Sequence, residues 1–171
     1  MIPDCVILHC SVSSYGDVFL IDKWHKERGF KGVGYHAVCL NGRPHKSNEY
    51  FTSYDGVIEP GRPINTTGAH CLNGFNSHSL GFCLIGGRSK KYGDSMFTLD
   101  QLDSFSHWFD EQSRRIKKIS GNALKVFGHH ECQPGKTCPD LNMNLVRKFL
   151  SGEIASFELL ERTEEEWKTK C

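Results

Sequence analysis

Four short, mostly apolar runs, Cys5 to Leu8, Tyr35 to Leu40, Leu80 to Ile85 and Lys125 to Gly128, constrain this sequence more than anything else in it. Each is only four to six residues long, and continuous apolarity rather than strict alternation marks a strand covered on both faces. The first run is read as ending at His9, the third at Gly86-Gly87, and the fourth as delivering His129. Strands of this kind need helices above and below them, so the expected class is α/β, a central mixed β-sheet flanked by helices.

The intervening segments supply those helices. Residues 17 to 28 place Val18, Ile21 and Trp24 on one face, with Asp17 as N-cap and Gly29 as the stop. Thr98 and Gln101 form a capping box, after which Leu99, Leu102, Phe105, Phe109 and Ile116 trace a helical stripe. Leu145, Val146, Phe149 and Leu150 mark a further core helix. Asn41-Gly42 and Asp55-Gly56 are turn signals that close a hairpin with an enlarged loop over residues 43–54. The organisation expected is a catalytic domain over 1–151 and a C-terminal tail over 152–171 forming a peripheral helix.

With 171 residues the chain has room for one ordinary core. Its 21 Lys and Arg against 20 Asp and Glu leave a formal charge of +1, which excludes a global field for nucleic acid or an anionic membrane. No apolar run approaches bilayer length, so no membrane insertion is expected. The segment Met1-Ile2-Pro3-Asp4-Cys5 lacks the charge and apolar core of a secretory signal, which points to a cytoplasmic start. A domain of this size folds without disulfides, so the eight cysteines are expected as free thiols, with Cys5, Cys39 and Cys83 acting as small hydrophobes.

Cys138 differs, lying in a polar, Gly- and Pro-rich loop shortly after His129 and His130. His9, His129 and Cys138 together offer two nitrogens and a sulfur, a set that suits zinc and leaves a fourth position open. Spacing alone leaves three readings: that open site, a closed one completed by Cys132 or His130, or no metal. His129 and His130 are adjacent, and in an extended segment they point to opposite faces, against both serving one ion.

Taken in order, Val6-Ile7-Leu8-His9-Cys10-Ser11, Trp24-His25-Lys26, Gly34-Tyr35-His36, Gly61-Arg62, Gly68-Ala69-His70, Asn76 to Gly81 and Gly128-His129-His130-Glu131 resemble the zinc-dependent N-acetylmuramoyl-L-alanine amidases related to peptidoglycan recognition proteins. Within that superfamily they are most similar to the short phage endolysins of the amidase type. The resemblance spans about residues 5 to 150. It implies Zn2+ held by His9, His129 and Cys138, catalytic roles for Tyr35 and Lys136, and a substrate-facing His70, with Asn76 and Arg62 as further substrate-binding residues. The implied reaction cuts the amide between N-acetylmuramic acid and L-alanine in peptidoglycan, in an enzyme held in the host cytoplasm until release and acting on the periplasmic cell wall. The alternative is a recognition module that binds peptidoglycan without turnover. Some phage amidases of this type also bind and inhibit a phage RNA polymerase, which makes that polymerase a further partner to consider; no feature of this sequence establishes it. Departures from the family pattern are the 43–54 insertion, a slightly long loop between His129 and Cys138, and the tail after residue 151.

Overall fold

The computed structural model describes residues 1–47, 49–91 and 93–169. Five strands, β1 (Cys5–Cys10), β2 (Ala37–Asn41), β3 (Asp55–Pro60), β4 (Ser79–Leu84) and β5 (Lys125–Gly128), form one sheet in the order β3-β2-β4-β1-β5. β1 runs parallel to both β4 and β5, β2 runs parallel to β4, and β3 returns antiparallel to β2. The sheet is therefore mixed, as the apolar runs require. The hairpin also forms: Gly42 and Gly56 have φ of 74° and 70°, in the left-handed region glycine enters freely, at the two ends of the loop.

Alternation along the strands sends successive side chains to opposite faces. Val6, Leu8, Cys10, Ala37, Cys39, Leu80, Phe82 and Leu84 pack into one core with α2 (Leu99–Ser120), α4 (Met143–Leu150) and α5 (Ser156–Thr169). Val38, Leu40, Cys83 and Ile85 face the other way, against Ile21 of α1 (Val18–Glu27). Both faces are covered. In α5, Leu159 and Thr163 are fully buried, and Trp167 donates its Nε1–H to the carbonyl of Asp140 at 2.9 Å.

Two local expectations need correction. β1 does not stop before His9 but continues through Cys10, so His9 lies within the strand, paired in register with Cys83. The capping box at Thr98 and Gln101 forms, yet Leu99 is 45% exposed and stands off the helical stripe. The reason is Gln101, about 200° further round the helix. It is completely buried, and its Nε2 donates to the carbonyls of Cys39 and Ile85, both at 3.0 Å, tying the first turn of α2 to β2 and to the residue that follows β4.

All cysteines among the described residues are free thiols, and Cys5, Cys39 and Cys83 are buried. Cys171 lies outside the described residues. No described helix is long and apolar enough to cross a membrane.

Candidate metal centre

Strand register assembles the centre. Leu8 of β1 pairs with Gly128 of β5, so the next residues, His9 and His129, emerge side by side with ring centroids 4.4 Å apart. His129 does not continue the strand as expected; it opens the short helix α3 (His129–Cys132), whose start is fixed when the Gly128 N–H donates to Glu131 Oε2 at 2.9 Å. Arg147 of α4 grips both Glu131 oxygens at 2.6 Å. The loop after α3 returns Cys138 to the same point, and His9, His129 and Cys138 present ligand atoms that all lie within 4.8 Å of one another. The donor set is two imidazoles and one thiol, which fits zinc.

Each donor is held from behind. His9 Nε2 lies 3.1 Å from His70 Nδ1, while its Nδ1 faces Cys138 Sγ at 3.9 Å. His129 Nε2 meets Gln133 Oε1 at 3.0 Å, leaving its other nitrogen for the centre. The backbone N–H of Cys10 donates to Cys138 Sγ at 3.1 Å. His130 does not join the donors; its backbone N–H and its Nδ1 both meet the Cys138 carbonyl, at 2.9 and 3.0 Å. Cys132 is buried apart from them with Ile7 and Cys71.

Electrostatics favour the ligand states. Burial holds His9 below the usual imidazole range, partly opposed by its contact with Cys138. Hydrogen bonding from Cys10, then from His129 and His9, pulls Cys138 well below an ordinary thiol despite its burial. A neutral imidazole beside a thiolate is what a divalent cation needs, because ligands bind deprotonated.

Beside the donors opens a cavity of about 320 Å³ whose walls include Tyr35, His70, Asn76, His129 and Lys136, with Phe30 and Leu72 at its apolar part. The Tyr35 ring lies 5.0 Å from that of His9, and burial raises its hydroxyl well above the ordinary value, so it remains a phenol that can donate a hydrogen bond. Lys136 is exposed, two residues before Cys138, and forms no ion pair among the described residues. It also borders a larger cavity of about 650 Å³ on the far side of its loop.

Of the residues singled out from sequence, the structure thus gathers His9, His129, Cys138, Tyr35, Lys136, His70 and Asn76. Arg62 stands elsewhere, donating to the carbonyls of Val33 at 2.8 Å and Thr67 at 2.7 Å. Asn76 gives its Oδ1 to the backbone N–H groups of His70 and Cys71, at 2.8 and 3.0 Å. Sequence reasoning missed Gln133, although a glutamine four residues beyond a helical His129 shares its face. It also missed Cys10 as a backbone donor, for which side-chain identity carries no signal.

Residues 1–140 match the family described as N-acetylmuramoyl-L-alanine amidase. The chain is 32% identical over 144 residues to the endolysin of Escherichia phage T7, covering 82% of each protein, and 30% identical over 142 residues to the endolysin of Klebsiella phage KP32, covering 81% of each. Among solved structures, the amidase LysC from Clostridium intestinale URNW superposes with a TM-score of 0.64 at 23% identity, covering 88% of this chain and 87% of LysC. Drosophila peptidoglycan recognition protein SD superposes at 0.59 and 16% identity, covering 80% of this chain and 74% of that one. These structural likenesses speak for the fold, and the sequence matches go further: the chain belongs to the N-acetylmuramoyl-L-alanine amidase family.

Proposed function

We propose that this protein is a phage endolysin that hydrolyses the amide between N-acetylmuramic acid and L-alanine in peptidoglycan, using zinc held by His9, His129 and Cys138. The observation that carries the reading is the convergence of those three donors beside a cavity walled by Tyr35 and Lys136. Zinc bound there supplies Lewis acidity and brings the pKa of water to about 7. The chain's own groups do the rest. Gln133 orients the His129 imidazole, and the Cys10 N–H, donating to the Cys138 sulfur, favours its anionic form. The Lys136 ammonium stabilises negative charge that develops on the carbonyl oxygen as the tetrahedral intermediate forms. The neutral Tyr35 hydroxyl donates to the reacting centre. Acting on the cell wall, such an enzyme reaches its substrate after release from the cytoplasm.

Purified protein incubated with sacculi should free peptides that begin with L-alanine and leave the glycan strands uncut. Cys138→Ala should lose stoichiometric zinc and turnover together. A zinc-loaded wild type that binds sacculi and releases nothing would identify a recognition module instead; Cys138→Ala retaining full zinc would refute the ligand set.

A further inference from the structure

Gly68-Ala69-His70, Asn76 and Gly81 remain without a role in the reaction, although they converge on one imidazole. The His70 ring is buried, only 9% exposed, and lies edge-on to His9. A Cβ on Gly68 or on Gly81 would stand 2.5 Å from His70 Cδ2. Neither glycine has a positive φ, so the backbone does not demand glycine at these positions; the imidazole does. Asn76 pins the ring's own backbone N–H, and its carbonyl accepts from Gly68 at 3.0 Å. His36 closes the remaining side at 5.7 Å, with its Nδ1 accepting from the Gly81 N–H and its Nε2 donating to the Thr66 carbonyl.

We infer that His70 is a positioning residue for the metal centre and that these segments form its cradle. This rests on the zinc reading above. With His9 Nδ1 turned toward Cys138 as a ligand atom, the ring's proton sits on Nε2 and is donated to His70 Nδ1 at 3.1 Å. His70 then carries its own proton on Nε2, a buried atom, and the ring also meets the Ser79 backbone. The opposite tautomer pair would aim a His9 proton at the cysteine sulfur and block the ligand lone pair.

The test is zinc affinity by chelator competition, with no substrate present, in wild type and in His70→Phe, His70→Asn and His70→Gln. Phenylalanine keeps the bulk and removes the acceptor, and should weaken zinc binding about 10- to 100-fold. Asparagine puts an amide oxygen where Nδ1 was and should recover most of the affinity; glutamine carries its oxygen one bond too far and should not. If His70→Phe does not fold, the contrast of asparagine with glutamine decides. Melting temperatures of the zinc-free variants should not follow the same ranking. Zinc binding as tight in His70→Phe as in wild type, or asparagine no better than glutamine, overturns the inference while leaving the zinc reading intact; a wild type that takes up no zinc overturns both.

Discussion

Protonation of His25 should loosen the segment that carries Tyr35. His25 is buried at 4% exposure, its Nδ1 accepts the Gly34 N–H at 2.9 Å, and its ring stacks on Phe30 and tilts against Tyr35 with centroids 5.1 and 5.2 Å away. Burial, aided by Arg28, pushes its pKa down to about 4. In the unfolded chain an imidazole titrates near 6.5. Between these values the unfolded state holds more protons than the folded state, so stability is fully present above pH of about 6.5 and is lost as pH falls toward 4. From about pH 7.5 to about pH 4.5 the linkage removes about 2 to 3 kcal/mol through this one ring. His36 and His70 are depressed in the same direction and add to the total, so the measurement must be a difference. Urea unfolding of the zinc-free protein at the two pH values, in wild type and in His25→Asn, isolates it, because asparagine retains an acceptor near Nδ1 and does not titrate. Wild type should lose about 2 to 3 kcal/mol more than the variant between the two conditions. Equal losses, to within about 0.5 kcal/mol, would refute the assignment of acid lability to this ring.

Three further outcomes follow from the site and the core. Lys136→Ala should lower kcat by roughly 10²–10³ with a far smaller change in substrate binding, and Tyr35→Phe should slow turnover with zinc content and melting temperature nearly unchanged; near-normal kcat on sacculi in both would remove them from the chemistry. Leu159→Ala, at a site with no exposed surface, should cost about 2–5 kcal/mol in denaturant unfolding, whereas a cost under about 1 kcal/mol would show that residues 152–171 are dispensable to the core.

What could be read from the sequence follows the physics of each signal. The buried strands, the capping box on α2 and the hairpin turns are local, and local chemistry specified them. The candidate donors stood out because histidines at the ends of apolar runs and a cysteine in a polar loop are chemically conspicuous, and the family resemblance then singled them out. The supporting contacts were hidden. Gln101 looked like a helix cap, and only the packed structure shows its amide bridging Cys39 and Ile85. Glu131 gained its role from Arg147, sixteen residues away, and the Cys10 amide from Cys138, 128 residues away. Such partners depend on tertiary approach, which periodicity does not encode. His129 was misread as extended because Gly128 ends the apolar run, while the carboxylate three residues on initiates a helix.

The first strand of the chain is an interior strand of the sheet, and its neighbours are separated from it by more than seventy residues on one side and more than a hundred on the other. A nascent chain therefore carries β1 until β4 emerges, about half-way through synthesis, before it has a strand to pair with, and the side of the site that holds His129 exists only after β5 has emerged. Contacts this distant in sequence form late and slowly. Metal uptake at the three donors should thus follow closure of the sheet and cannot nucleate it, unlike small metal-bound modules whose fold begins at the ion. The apoprotein must stand on its own packing, and a ribosome stalled before residue 125 would hold a polypeptide with one ligand and no place to put it.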